Sequence, residues 1–188
     1  MNEAHMQFCA SPEWRQIIEE KIMPDALRNA DLGQDIIEIG PGPGFTTDVL
    51  RALWTRVTAV ELDPDLAGTL ENRLAGTNVQ VVCGNAVALD FPDGRFTGAA
   101  SFHMLHHIPT VDDQDRAFAE LARVVTKGGV LVAADGVFSE GSQAFHTGDT
   151  YNPIDPDTLS QRLSAVGFTS VSVQLHDLGW FCTGTAPG

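Results

Sequence analysis

The sequence predicts an α/β chain built on a doubly wound sheet, and three observations carry that reading. Short β-branched runs alternate with helical patterns from Ile36 to Ala134, the first run ends in a glycine-rich turn, and two apolar runs close the chain with only a short turn between them. Alternation at this spacing calls for right-handed crossovers and a mainly parallel sheet covered on both faces.

Each element follows from its own residues. In "SPEWRQIIEEKIMPDAL", Ser11 is an N-cap, Pro12 takes the first helical position, and Trp14, Ile17, Ile18 and Ile22 recur at helical spacing, so an amphipathic helix opens the chain. A strand over Ile36 to Ile39, a helix over Phe45 to Leu53, a strand over Val57 to Val60, a helix over Pro64 to Leu74 and a strand over Val79 to Val82 come next. After a more polar stretch the pattern resumes with a strand over Gly98 to Phe102, a helix over Asp112 to Val125 and a strand over Val130 to Ala134. The segment from Gly136 to Pro156, rich in Gly, Asp and Pro, reads as a loop, and a helix over Asp157 to Val166 follows it. Strands over Ser170 to Leu175 and Trp180 to Thr183, joined by a turn containing Gly179, form an antiparallel hairpin at the sheet edge.

At 188 residues the chain is expected to form one domain, with residues 1–30 as a helical lid and residues 35–188 as the core. No stretch reaches the roughly 20 apolar residues of a membrane span, and "MNEAHMQF" lacks the basic flank and apolar run of a signal peptide, so a cytoplasmic location is expected. Three scattered cysteines, Cys9, Cys83 and Cys182, suggest neither disulfides nor zinc and read as core or half-buried residues. Eleven Lys and Arg against 25 Asp and Glu give a formal charge of −14, which repels a phosphate backbone. Nucleic acid and membrane are therefore not expected as partners, whereas a small-molecule substrate is.

The chemistry centres on "DIIEIGPGPGFTT". A strand that ends in GxGxG and opens a helix presents bare backbone at the carboxyl edge of the sheet, where α/β folds bind ligands. Phe45 stands where a dinucleotide fingerprint needs its last glycine, and no Gly-Lys-Ser/Thr follows, so neither a nicotinamide or flavin dinucleotide nor a Walker phosphate loop is indicated. A tight turn with no ligand is the bland alternative. Glu61 ends the next strand about 20 residues on, where a carboxylate accepts the two hydroxyls of a ribose, while Asp63 ahead of Pro64 reads as a helix N-terminal acid. In "VQVVCGNA", Asn85 and Ala86 offer an amide and a backbone N–H to an adenine edge, or else make a Gly-Asn turn.

In chain order, "IIEIGPGPG", "AVELDPDLA", "VVCGNAVALDFPDGRFTGAASFHMLHHI", "LARVVTKGGVLVAAD" and "RLSAVGFTSVSV" resemble the successive motifs of class I S-adenosylmethionine-dependent methyltransferases. The resemblance implies a Rossmann-like, seven-stranded mixed sheet in the order 3-2-1-4-5-7-6 with strand 7 antiparallel, and S-adenosyl-L-methionine as cofactor. It further implies that Glu38 and the turn Gly40, Pro41, Gly42 and Gly44 hold the methionine portion, Glu61 the ribose, and Asn85 with Ala86 the adenine, with Leu62 packed on the base. Phe102 is expected to stack beside the cofactor. Two positions depart from the family pattern: Asn85 stands where Asp is more frequent, and Thr97 replaces an acid.

Methyl transfer is an in-line displacement that chiefly needs alignment and desolvation, with a base only for acidic nucleophiles. "SFHMLHHIP" places His103, His106 and His107 near the ligand edge, where an imidazole takes a proton from a phenol, hydroxyl or amine, or alternatively caps the next helix. The long loop adds His146, Asp149, Tyr151 and Asn152, and the candidate catalytic residues are His103, His106 and His146. His5, Phe8 and Trp14 are candidates for a lid over the cofactor, or else belong to a simple packing helix. The histidine stretch is not HExxH, contains no acid, and Ser101 and Phe102 stand where metal-dependent catechol-type enzymes place an Asp, so no metal is expected. The resulting expectation is methyl transfer to an O, N or C atom of a small molecule. Its alternatives are an RNA adenine dimethylase, which the first two motifs also resemble, and a non-catalytic cofactor-binding protein.

Overall fold

The computed structural model describes residues 2–188. Met1, the first residue of the expected lid, lies outside them. Seven strands form one sheet in the order β3-β2-β1-β4-β5-β7-β6: β1 (Asp35–Ile39), β2 (Arg56–Glu61), β3 (Val79–Cys83), β4 (Phe96–Phe102), β5 (Val125–Asp135), β6 (Thr169–His176) and β7 (Gly179–Thr185). β7 runs antiparallel to both β5 and β6, and the other pairings are parallel. The expected strand order and reversed last strand are both present.

β1 lies at the centre and every residue of it is buried. Because side chains alternate across a strand, Ile37 and Ile39 enter the core on one face with Phe96, Phe118, Leu131 and Trp180. Ile36 enters the other with Leu50, Val57, Ala100 and Val132. Each such isoleucine contributes about 1.5–3 kcal/mol of burial, which makes the register of β1 hard to shift. Glu38 shares the face of Ile36, and there it meets the Thr46 and Thr47 hydroxyls of the helix that follows the glycine turn.

The helices between the strands have the ends their residues prescribe. Helix α4 (Phe45–Leu53) starts after Gly44, which sits in the left-handed region at φ 86°. Helix α5 (Pro64–Leu74) is capped by Asp63, whose Oδ1 accepts from the N–H groups of Asp65 and Leu66. Helix α6 (Val111–Val124) is capped by Thr110, and α8 (Pro156–Ala165) by Asp155.

The N-terminal region is more broken than one amphipathic helix. Helix α1 (Glu3–Cys9) precedes α2 (Pro12–Ile17), a wide π turn spans Ile18–Ile22, and α3 (Met23–Ala26) follows. Ser11 does cap α2 through Trp14 N–H at 3.1 Å. The π turn precedes Pro24, which lacks an N–H and whose ring would crowd the carbonyl four residues back in a regular helix. Ile18 and Ile22 stay buried against the sheet despite the widening. The stretch read as a plain loop also contains a helix, α7 (Glu140–Phe145), capped by Ser139 through Ser142 N–H at 3.0 Å. Cys182 is buried and Cys9 half-buried as expected, but Cys83 is exposed, because β3 is an edge strand. Among the described residues, no helix is long and apolar enough to cross a membrane.

Candidate active site

A cavity of about 1080 Å³ opens at the carboxyl ends of β1, β2 and β4, roofed by α1 and α2. At one end it is lined by the glycine turn, and there the local chemistry is tightly tied. Gly40 has φ 66°, and a Cβ there would overlap the Met104 side chain. Gly42 donates its N–H to Glu61 Oε2 at 3.0 Å, and Asp63 N–H donates to Glu61 Oε1 at 3.0 Å. Glu61 is thereby aimed by two backbone donors at the cavity it lines. A Cβ on Gly42 would meet no protein atom, because its position faces open space on the cavity wall. With no side chain at Gly42 between backbone and cavity and a carboxylate fixed beside it, the turn leaves room for an adenosyl amino acid, whose ribose needs an acceptor.

Pro41, Leu62, Asn85, Ala86 and Phe102 also line the cavity, as their sequence positions imply. Leu62 is 66% exposed, an apolar side chain standing free where a base would cover it. Asn85 combines the two readings of its segment: Oδ1 accepts Val87 N–H at 3.1 Å in a local turn, while the residue remains on the wall.

Glu38 and Gly44 are placed differently from expectation, for they do not line the cavity. Glu38 is buried behind the turn and accepts from the Thr46 hydroxyl and, at 2.6 Å, from the Thr47 hydroxyl. Burial pushes its carboxyl up to about 7, against the pull of those two hydroxyls. Its position follows from strand alternation, which turns it under the first turn of α4. At Gly44 a Cβ would run into Leu70 and Arg73, because α5 packs on that side. Arg73, not singled out from sequence, donates to the Pro43 and Gly44 carbonyls, both at 3.1 Å, and pairs with Asp48 at 2.7 Å. Thr97, the other departure from the family pattern, accepts from Gln34 and Asp35 N–H at 2.9 and 3.0 Å, a task a carboxylate could also perform.

The other end of the cavity is lined by histidines and aromatic rings. His103 stands at φ 51°, a strained conformation for a non-glycine residue, held by its N–H to Ala134 O at 2.8 Å. Its Nε2 is buried without a hydrogen-bond partner, and burial holds the ring down to about 4, so it is neutral at pH 7. His106 lies in the 3-10 turn Leu105–His107 and bonds through Nδ1 to Asp135 Oδ1 at 2.6 Å. Burial works against a proton on His106, yet the Asp135 carboxylate outweighs it and raises its affinity overall. Asp135 ends β5 at the ligand edge and was missed in the sequence, although its place, last in "VLVAAD", was the available signal.

His146 reaches His106 from the far loop, with Nε2 to Nε2 at 3.2 Å, and Tyr151 stacks on His146 at 4.3 Å between ring centres. Asp149 lines the cavity, whereas Asn152 braces the loop from behind through Ile108 O at 3.1 Å. His5, Phe8 and Trp14 all reach the cavity, and His5 was not among the catalytic candidates. The N-terminal roof is fastened to that loop: Asn2 Nδ2 donates to Phe145 O at 2.9 Å, and His5 Nδ1 meets Asp149 Oδ2 at 3.2 Å.

A sheet in this order with a reversed seventh strand, a glycine turn after β1 and an acid closing β2 defines a class I methyltransferase. The chain belongs to the methyltransferase domain family, which it matches over residues 37–133, and with it to the S-adenosylmethionine-dependent enzymes. It is similar to the Probable S-adenosylmethionine-dependent methyltransferase Rv3030 of Mycobacterium tuberculosis, at 26% identity over 165 residues, 84% of this chain and 55% of that protein. It is also similar to the Probable ribosomal RNA small subunit methyltransferase A of Methanothermobacter thermautotrophicus, at 42% identity over 79 residues, 41% of this chain and 29% of that protein. Among solved structures, the PH0226 protein from Pyrococcus horikoshii OT3 shares the fold with a TM-score of 0.78 at 15% identity, covering 94% of this chain and 92% of that one. This chain thus spans about half of one curated relative (55%) and under a third of the other (29%).

Proposed function

We propose that the protein transfers the methyl group of S-adenosylmethionine to an O, N or C atom of a small molecule held at the histidine-lined end of the cavity. The observation that carries this reading is the two-ended cavity under a fastened roof. One end offers Glu61, Gly42 and Asn85 to an adenosyl amino acid, and the other is lined by imidazole and aromatic rings. A volume of about 1080 Å³ lies just above the usual range for ligand sites, which suits two small reactants side by side.

In this reading Glu61 takes the ribose hydroxyls, the Gly40–Gly42 backbone and Thr46 border the amino acid portion, and Leu62 covers the adenine. When bound, the cofactor supplies an activated methyl on a sulfonium. The protein's own work is alignment and dryness: Phe8, Trp14 and Phe102 exclude water, and the neutral His103 ring borders the cavity with its Nε2 buried and unpartnered, so that a small turn of the ring would bring it to an acceptor O–H or N–H. The N-terminal segment serves as the lid. Glu38 acts at one remove, by holding Thr46 and Thr47 at the start of α4.

The test is calorimetric titration with S-adenosylhomocysteine, followed by methyl transfer to a panel of phenols, amines and carboxylates. Binding with turnover of at least one acceptor supports the proposal. Binding without any turnover favours a non-catalytic cofactor sensor, and absence of binding removes the enzymatic reading altogether.

A further inference from the structure

Four imidazoles converge at the acceptor end from three separated parts of the chain: His5 on α1, His106 and His107 on the turn after β4, and His146 at the end of α7. One ring nitrogen of each lies within 4.8 Å of the others. Three of the four are oriented as metal ligands are. Their Nδ1 atoms are engaged by Asp149 at 3.2 Å for His5, Asp135 at 2.6 Å for His106 and the Ser142 carbonyl at 2.6 Å for His146, which leaves Nε2 to a ligand.

The spacing is telling. Zinc–nitrogen bonds of about 2.0–2.1 Å at tetrahedral angles put ligand nitrogens about 3.3 Å apart. The Nε2 atoms of His106 and His146 are 3.2 Å apart. The surroundings suit a cation: among the described residues no Lys or Arg lines the cavity, and the carboxylates of Asp135 and Asp149 stand directly behind two of the rings. Imidazole nitrogen selects first-row transition metals over calcium and magnesium, which prefer oxygen, and a tetrahedral set of four selects zinc over copper or nickel.

We propose that His5, His106, His107 and His146 bind one divalent transition metal ion, zinc by preference, in a tetrahedral four-nitrogen site that clamps helix α1 to the α7 loop across the acceptor pocket. This reverses the expectation drawn from "SFHMLHHIP" alone, which contains only two of the four ligands. Four protein ligands complete the shell, so the ion organises the wall of the pocket and the roof above it. The site is independent of the acceptor assignment, because its occupancy is read without turnover.

The experiment uses the full chain carrying Cys83→Ser, to remove an exposed thiol that would also take up zinc. After chelation, equilibrium dialysis with elemental analysis is expected to return one Zn²⁺ per chain. Co²⁺ is expected to give the intense visible bands of a tetrahedral site. His5→Ala and His146→Ala should each weaken Zn²⁺ binding by about 100-fold or more, and Asp149→Asn by about 10-fold, as for the outer partner of a ligand. His176→Ala, on β6, should leave it unchanged. If either histidine variant fails to fold by circular dichroism, the Co²⁺ spectrum of the parent and the Asp149→Asn titration decide. No uptake of Zn²⁺ or Co²⁺ at micromolar concentration, an octahedral Co²⁺ spectrum, or uptake unchanged by the substitutions would overturn the site.

Discussion

Single residues carry the sharpest tests. Glu61 is aimed by the Gly42 and Asp63 N–H groups before any ligand arrives, so little entropy is left to lose on binding. Glu61→Ala should weaken S-adenosylhomocysteine by about 1 to 3 kcal/mol, the range for hydrogen bonds to a charged group, and an unchanged dissociation constant by calorimetry would contradict the ribose assignment. Glu38 makes a prediction about pH. Its proton is held to about 7 in the fold against 4.5 ordinarily, so the associated stability is complete below about pH 4.5 and disappears as pH rises through about 7. At 1.36 kcal/mol per pKa unit the loss is on the order of 3 kcal/mol. Urea unfolding of Glu38→Gln should lack that component of the decline, and parallel pH profiles for the two proteins would refute it. For His103→Ala, turnover should fall more than cofactor affinity; equal losses would assign the ring a folding role instead.

At the scale of elements, the β1–α4 turn is held from outside by α5. Arg73 gives two hydrogen bonds to the turn's carbonyls and one ion pair to Asp48, but its side chain is 39% exposed, so solvent screens part of each. Arg73→Ala should cost about 1 kcal/mol of stability and loosen cofactor binding several-fold, read by urea midpoint and by titration. Loss of stability without loss of affinity would mean that the turn holds its shape unaided. Elements differ in how plainly the sequence announces them. Helices α4 and α5 were read to the residue, because Gly44 and the Asp63-Pro64 pair mark their starts and an apolar stripe sets their length. Helices α1 and α7 were not, since 7 and 6 residues are too few to be stable alone and both depend on packing over the cavity. Strand ends moved outward by a residue or more, as at β5, because ladder hydrogen bonds continue beyond the apolar run.

For the molecule as a whole, charge and enclosure act together. A formal charge of −14 and, among the described residues, a cavity lining without Lys or Arg work against binding driven by counterion release from RNA. Ribosomal RNA fragments should therefore not be retained at physiological salt, even though part of the chain is similar to a ribosomal RNA methyltransferase. Retention in a filter-binding assay would favour the adenine dimethylase reading. The sequence by itself determined the alternation of strands and helices and the glycine turn after β1, because those residues lie within one or two elements of each other, while the strand order came from the resemblance to a family. Spacing along a strand, turn and helix translates directly into spacing in space. Only the tertiary structure decided the other end. His5, His106 and Asp149 meet across more than 100 positions of chain, and Glu38 turned from the cavity to α4 because of which sheet face it occupies. Local pattern encodes neither long-range contact nor the side of a buried strand that a helix will cover.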